Sequence, residues 1–591
     1  MDAIAENSAV VYDAEMRRWL HFRDPVDIVS TSSVAAVGDV LGTAERRALE
    51  EGLWAVGCVA YEAGPAFDAA LVCHEHSGCF PLAWFGLYGE AEGISLTEEG
   101  GTCTPALTWE RSVSDNEYRA CFSRIKSYIG EGDTYQVNYS FRLRAHFDGD
   151  PWALFVRMIR AQGDGYGAFV RTPEWAVCSA SPELFFTRIG DVVVSRPMKG
   201  TMPRGMTLSE DRTRREALAR SEKNRAENLM IVDMVRNDLG RIAESGSVQV
   251  TRLFDLEKYP TLWQMTSTVR CRTQRSIPDI FRHTFPAASI TGAPKVRTMQ
   301  IIREVEPLPR RIYTGSVGFI APTGRTQFNV AIRTVLVDRS GKQAEYGVGG
   351  GLVWDSECAD EGRECVTKAR VLTQPAPAFA LLETLLWTPG EGYALREAHV
   401  RRLADSAEYF SRELNLEAVC EKLDVVADGL SAAPHRVRVV VPLGGEPTVE
   451  AVPLRALPVP YRLVFASRPV DSRNPFLYHK TTCRDVYEQA LKDCPGVHDV
   501  LLWNERGELT ESCIANVVVR REDGRLVTPP VQCGLLAGTY RAQLLASGEV
   551  TEEIVRIDEL KNFTGIYLVN SVRGMWEVDV DLCAARRAEG V

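Results

Sequence analysis

The stretch Gln374-Pro375-Ala376-Pro377-Ala378 constrains this chain more than any other feature. Two prolines at alternate positions fix φ, remove two backbone donors and push the residues before them out of the helical region. Neither a helix nor an interior strand runs through such a stretch, so the chain must fold as separate bodies on either side of it. The residues before it, Asp360 to Leu372, read as a helix, and those after it, Phe379 to Trp387, as a strand. The expected organisation is a first domain over 1–373, with an N-terminal part (1–110) and a chemistry-bearing part (111–373). A linker over 374–378 and a second domain over 379–591 follow. With 591 residues, both parts are long enough to bury a core of their own.

In the first part, 191–198 (DVVVSRPM) has the short β-branched composition of a buried strand. Residues 208–235 read as one helix ending at Arg236-Asn237-Asp238. Residues 343–354 read as a strand interrupted by Gly347, Gly349, Gly350 and Gly351, where the backbone either approaches a ligand closely or bulges. Strands and helices do not alternate strictly, so the fold class expected is α+β. In the second part, a turn at Pro389-Gly390-Glu391-Gly392 precedes a helix from Glu397 to Glu413 and strands at Arg436–Val441 and Tyr461–Phe465.

Charge excludes some functions. There are 68 Lys and Arg against 79 Asp and Glu, a net −11, without a long basic run. A nucleic acid is therefore not an expected partner, although a local basic pocket could take a small anion. No apolar run approaches the ~20 residues of a membrane helix, and MDAIAENSAVVYDAEMRRWL has no signal-peptide core, so no membrane contact and a cytoplasmic location are expected. The 15 cysteines are scattered without a Cys-x-x-Cys pair, as in a reduced compartment. Cys73-His74-Glu75-His76 with Cys79 has metal-binding residue types, but they are crowded in sequence with no second half, which favours an ordinary loop.

Three acidic residues stand out. Glu361 and Glu364 share a helix face, and Glu227 sits in a second helical segment, three residues after Asn224. Two helices each presenting a carboxylate suit Mg²⁺, although such spacing alone more often marks a solvated surface. Lys199 ends a strand in Arg196-Pro197-Met198-Lys199-Gly200-Thr201. Desolvation there would free its lone pair for attack, and the alternative is a surface lysine whose stem lies along apolar neighbours.

Eight ordered motifs go further. SPELFF (181–186), RPMKGT (196–201), AENLMIVDMVRNDLGRI (226–242), FPAASITGAPKVRTMQII (285–302), YTGSVGFI (313–320), FNVAIRT (328–334), GVGGGLVWDS (347–356) and ECVTKA (364–369) together resemble the chorismate-utilising enzymes. The resemblance is dense over 115–372 and implies a large α+β sandwich of two packed antiparallel sheets. Where isochorismate-type members carry a lysine that activates water, this chain has Gln136. Where anthranilate synthases resemble an alanine, it has Lys199, the mark of aminodeoxychorismate synthase component I.

That branch implies roles. Lys199 attacks C2 of chorismate and expels the C4 hydroxyl, Glu183 protonates the departing oxygen, and ammonia then displaces the lysine. Glu227, Glu364 and Glu361 correspond to the Mg²⁺ ligands. Tyr313 and Arg333, with the amides of Gly349 and Gly351, clamp the enolpyruvyl carboxylate. Thr201, Thr291, Gly292 and Lys295 line the same pocket. Gln264 stands where many relatives have a histidine used in later proton steps, so pyruvate loss in this domain is not expected. Asn224 replaces a second glutamate of some relatives, which would leave the metal one more water. The chain has no Gly-x-Cys-x-Gly nucleophile elbow, so ammonia is expected from a separate glutamine amidotransferase subunit or free in solution.

Pyridoxal phosphate needs a lysine for its aldehyde, an acid at its ring nitrogen and donors for its phosphate. In the second part Lys480 and Glu511 could supply the first two, and Arg402 with the amides of Gly538 and Thr539 the third, although each taken singly is more often a structural or surface residue. In order, FALLETLL (379–386), EAHVRRLADSAEYF (397–410), HKTTCRDVY (479–487), LLWNERGELTESCIANV (501–517), TPPVQCGLLAGTYR (528–541) and LVNSVRG (568–574) resemble the fold-type IV pyridoxal phosphate enzymes. That group includes branched-chain and D-amino acid aminotransferases and aminodeoxychorismate lyase, and it implies a homodimer through this domain.

Side by side, the two resemblances imply an enzyme that aminates chorismate to 4-amino-4-deoxychorismate and then eliminates pyruvate to give 4-aminobenzoate, a folate precursor. Lys480 takes the C4 proton and Glu511 keeps the cofactor's ring nitrogen able to accept charge. Two other readings remain: an anthranilate-type synthase joined to an amino acid aminotransferase, and a non-catalytic chorismate-binding regulatory subunit.

Overall fold

A computed structural model describes residues 4–76, 78, 80–96, 107–163, 165–373 and 377–581. It divides into two units. One is Met1–Pro203 with Arg215–Ala376, and the other is Arg204–Arg214 with Pro377–Val591. A single cut between 373 and 379 therefore misses an excursion: a piece of the first sequence half folds with the second.

The first unit is built on two ten-stranded sheets. In one, Gln136–His146 lies between Gln343–Leu352 and the short Gly292–Ala293. In the other, Leu262–Arg272 pairs with Val192–Arg196, Met198–Pro203 and Gln249–Lys258. The alternation of side chains along Ser8–Asp13 explains how the layers form. Ala9 and Val11 enter a core shared with Val56, Phe186 and Phe319 of the opposite sheet. Val10 enters a second core with Ile125, Phe155 and Leu372, from the helices Asp115–Gly130, Pro151–Gln162 and Cys358–Thr373. The first sheet is thus covered on both faces, and polar side chains are buried with it: Gln136, Asn138, Ser140 and Arg142 of Gln136–His146 are all buried.

Two expectations about elements change. Residues 208–235 form two helices, Leu208–Arg220 and Glu222–Gly240, because the extended Ser221 between them accepts a hydrogen bond from Asn224 N and caps the second. The glycine-rich strand is not interrupted: Gln343–Leu352 pairs with Gln136–His146 in one unbroken antiparallel register. Its glycines answer to close packing. A Cβ on Gly347 would lie 2.1 Å from the Tyr313 ring, and one on Gly349 2.2 Å from the Tyr139 carbonyl oxygen.

The second unit holds a four-stranded antiparallel sheet and a nine-stranded sheet that includes parallel pairs. On the smaller sheet, Leu381 and Leu385 of Leu381–Thr388 pack against Leu403 and Ala407 of the helix Arg396–Tyr409. Glu383 shares their face, so its carboxylate points at that helix and must find a partner there. Among the described residues no helix is long and apolar enough to cross a membrane.

Candidate active sites

The first unit contains a cavity of about 180 Å³. The strand Met198–Pro203 brings Lys199 and Thr201 to it, the helix Glu222–Gly240 brings Asn224 and Glu227, the glycine-rich strand brings Gly349 and Gly351, and the helix Cys358–Thr373 brings Glu361 and Glu364. Glu183, Gln264, Tyr313, Arg333 and Gly347 complete the lining among the residues singled out from the sequence. Thr291, Gly292 and Lys295 are not in it. The Thr291 hydroxyl is turned to the carbonyls of Ala287 and Ala288. Gly292 pairs with Val137, and Lys295 Nζ is bound to Asp238 at 2.9 Å. They brace the wall behind the site.

Lys199 Nζ lies 3.3 Å from Glu227 Oε2 and 3.5 Å from the Gly351 carbonyl. The sequence suggested a desolvated amine; the structure gives it a carboxylate neighbour. A Cβ on Gly351 would sit 2.7 Å from that Nζ, so glycine is what lets the lysine reach across. The same Cβ would sit 3.1 Å from Gln136 Nε2, which places the Gln136 amide beside the lysine. Gln136 is fully buried, and neither side-chain atom meets a hydrogen-bond partner among the described residues. Gln264 is held differently: Nε2 donates to the Gly200 carbonyl at 2.8 Å and Oε1 accepts from Thr201 at 3.2 Å.

Burial pushes the Glu183 carboxyl up to about 7, against the hydrogen bonds it accepts from the Ser289 hydroxyl at 2.6 Å and from the Met198 backbone. A carboxyl poised there can hold a proton near neutral pH. Arg333 is 8% exposed, and its Nη1 donates to Gln162 Oε1, an amide. Among the described residues no carboxylate pairs with it. It adopts φ 48°, a strained left-handed conformation for a side chain of this size. A buried guanidinium without an acid is a receptor for an anion.

Among the described residues no three His, Cys, Asp or Glu side chains close on one point. Cys79 of the suggested cluster lies outside the described residues, while His74 Nε2 bonds the Glu306 carbonyl oxygen at 2.7 Å. Glu364 is held down to about 2 by Lys368, whose Nζ lies 2.8 Å away. Glu361 is raised, by burial first and then by the charge of Glu364. Mg²⁺ takes one or two carboxylates and keeps several waters, and a set of hard oxygens crowded by like charge fits that mode. Lys368 was missed in the sequence, although its position one turn after Glu364 in ECVTKA is the signal of an ion pair.

The second unit gathers the other set. Burial, and then the Arg402 charge, push Lys480 down to about 8; Glu383, Arg484 and Glu511 are the other charges it feels. Burial pushes Glu511 up to about 7. It accepts from the Tyr487 hydroxyl at 2.7 Å, Asn516 Nδ2 at 3.1 Å and Leu536 N at 3.2 Å. Arg402 grips Glu383 with Nε and Nη2, both at 2.8 Å, and its Nη1 donates to the Ala537 carbonyl. Burial pushes Glu383 up, but Arg402 and His399 outweigh it and hold the carboxyl at about 2. His399 bridges Glu383 at 2.7 Å to the Thr539 hydroxyl at 3.2 Å. Thr539 opens the helix Thr539–Ala546, and a Cβ on Gly538 would sit 2.0 Å from Asn516 Oδ1. A lysine held near neutrality, an acid able to face a ring nitrogen, and an arginine beside a helix N-terminus fit pyridoxal phosphate. Sequence reasoning missed Glu383 and His399 and gave no role to Tyr487 and Asn516, which it placed beside Lys480 and Glu511; the lone acid in FALLETLL was the readable signal for Glu383.

Residues 94–374 match the chorismate binding enzyme family and residues 380–580 match amino-transferase class IV. The chain thus joins a chorismate-binding enzyme domain to a class IV amino-transferase domain. It is 43% identical over 297 residues to aminodeoxychorismate synthase component 1 of Klebsiella aerogenes, covering 50% of this chain and 64% of that one. It is 44% identical over 290 residues to aminodeoxychorismate synthase of Streptomyces griseus, covering 48% of this chain and 39% of that one. The chain thus spans less than two thirds of these relatives. The crystal structure of anthranilate synthase component I from Streptococcus pneumoniae shares the fold of the first unit, with a TM-score of 0.52 and 22% identity over 63% of this chain and 94% of that one.

Proposed function

We propose that this chain converts chorismate to 4-aminobenzoate in two steps, amination to 4-amino-4-deoxychorismate in the first unit and elimination of pyruvate in the second. One observation carries the first half: a single cavity holds the Lys199 amine, the raised Glu183 carboxyl and an Arg333 guanidinium without an acidic partner. Arg333 and Tyr313 bind the enolpyruvyl carboxylate. Lys199 Nζ forms a bond to C2 as the C4–O bond breaks, and Glu183 gives its proton to the departing hydroxyl, releasing water. Ammonia then forms the C4–N bond as the C2–N bond to Lys199 breaks, which restores the lysine. Mg²⁺ held by one or two carboxylates from among Glu227, Glu361 and Glu364, with water at its other positions, would neutralise the ring carboxylate.

In the second unit Lys480, Glu511, Arg402, Gly538 and Thr539 would hold pyridoxal phosphate, which would supply an electron sink. Lys480 would move the C4 proton, Glu511 would face the ring nitrogen, and Arg402 with Thr539 would take the phosphate. A separate glutamine amidotransferase subunit supplies ammonia, and the second unit pairs with its copy in a homodimer.

The test is incubation of the purified chain with chorismate, Mg²⁺, ammonium and pyridoxal phosphate, with products identified by chromatography and mass. Equal 4-aminobenzoate and pyruvate are expected. Anthranilate would overturn the role of Lys199, and accumulated aminodeoxychorismate would assign the second unit another substrate.

A further inference from the structure

The strand carrying Lys199 is followed directly by Arg204–Arg214, which folds with the second unit. This segment is tightly built. Asp211 Oδ1 accepts from Arg204 Nε at 2.6 Å and from Gly205 N at 3.0 Å, and both charged side chains are buried. A Cβ on Gly205 would lie 2.3 Å from Asp211 N, so only glycine closes the turn. The Arg204 guanidinium stands 4.4 Å from the centroid of the Tyr409 ring and donates to the Tyr409 carbonyl at 2.8 Å. The Tyr409 hydroxyl donates to the Gly205 carbonyl at 2.8 Å.

The next carbonyl, that of Met206, lies 3.1 Å from His479 Nε2. A carbonyl oxygen only accepts, so Nε2 carries a proton. The other ring nitrogen, Nδ1, faces the Ser406 hydroxyl at 3.1 Å, and the ring stacks on Tyr409 with centroids 4.1 Å apart. His479 immediately precedes Lys480, whose own carbonyl accepts from Leu382 N at 3.1 Å.

We propose that His479, fixed by the Met206 carbonyl, is a positioning residue of the second site. The ring is pinned in orientation and protonation by a carbonyl from the first half of the sequence. The pinned ring sets the backbone from which Lys480 projects among Arg402, Glu383, Arg484 and Glu511. The inference rests on the reading of Lys480 as the cofactor lysine.

The test uses the full chain and pyridoxal phosphate alone, reading the dissociation constant, the absorption spectrum of the bound cofactor and the thermal transition. His479→Phe keeps an aromatic ring to stack and removes both hydrogen bonds. His479→Gln returns an N–H donor at the distance of Nε2. His479→Phe is expected to bind the cofactor about tenfold more weakly with a changed spectrum, and His479→Gln to recover to within about threefold of the parent. A His479→Phe chain with the parent's affinity and spectrum overturns the inference, as does a folded His479→Gln chain no better than His479→Phe. Should His479→Phe fail to fold, Tyr409→Phe drops only the bond to the Gly205 carbonyl. It is expected to weaken binding by about threefold, and unchanged binding there also overturns the inference. A parent chain that binds no pyridoxal phosphate instead overturns the assignment of Lys480, and this inference with it.

Discussion

Lys199 and Glu227 face each other at 3.3 Å, one from a strand of the first unit and one from the helix that Ser221 caps. The amine proposed as nucleophile and a carboxylate proposed as metal ligand are therefore direct neighbours. Lys199→Ala should slow aminodeoxychorismate formation by about a hundredfold or more, the scale of losing a covalent catalyst, or divert the reaction to direct amination. An unchanged rate, followed by chromatography, would remove Lys199 as the nucleophile.

Chelation separates the two halves. Removing Mg²⁺ with EDTA should abolish amination and leave pyruvate release from supplied aminodeoxychorismate intact, because Glu227, Glu361 and Glu364 line the first cavity, whereas the carboxylates near Lys480 are engaged by protein donors, Glu383 by Arg402 and His399 and Glu511 by Tyr487 and Asn516. Loss of both reactions on chelation would place a metal in the second step.

Glu183 sets a pH limit. Its carboxyl is pushed up to about 7 by burial, and as an acid it works only while protonated. kcat/KM for amination should therefore fall as pH rises through about 7. Glu183→Gln should lose that limb along with about a hundredfold of rate. An alkaline limb that survives in Glu183→Gln would assign it to another group.

Lys480 titrates in the opposite sense for function. It is lowered to about 8, by burial first and Arg402 second, and the neutral amine is the form that joins an aldehyde. Reconstitution of cofactor-free protein with pyridoxal phosphate should speed up with pH and level off above about 8. Lys480→Ala should let aminodeoxychorismate accumulate. Undiminished 4-aminobenzoate from that variant would end the assignment.

Gly347 tests packing without touching the chemistry directly. A methyl group there would lie 2.1 Å from the buried Tyr313 ring, so Gly347→Ala should cost about 1–3 kcal/mol of stability and raise KM for chorismate. Calorimetry and initial rates read both, and a variant matching the parent in both would show that Tyr313 has room to move.

What was legible in the sequence depended on range. Local patterns carried most of what could be read: the acid pair Glu361 and Glu364 lies in one helix, Cys358–Thr373, and the strand expected over 191–198 is found as Val192–Arg196, with Lys199 in the following strand Met198–Pro203. Relations between distant segments were not legible. The glycines at 347–351 read as a close approach to a ligand or a bulge; Gly347, Gly349 and Gly351 do line the cavity, but Gly347 also makes room for Tyr313 and Gly351 for Lys199, side chains that only tertiary folding brings in. Thr291, Gly292 and Lys295 sit in a matching motif but turn into the wall, because Asp238 captures the lysine from another helix. The break at Ser221 was missed because a serine amid charged helix formers carries little weight until its hydroxyl is seen as a cap.

The excursion at Arg204–Arg214 bears on how such a chain could ever come apart. A break at the proline-spaced stretch looks like a clean separation of two genes, yet it would leave the downstream product without the carbonyl its His479 donates to and without the partner of Tyr409. Separating the two halves would therefore take more than a cut at that stretch: residues 204–214 would have to travel with 377–591.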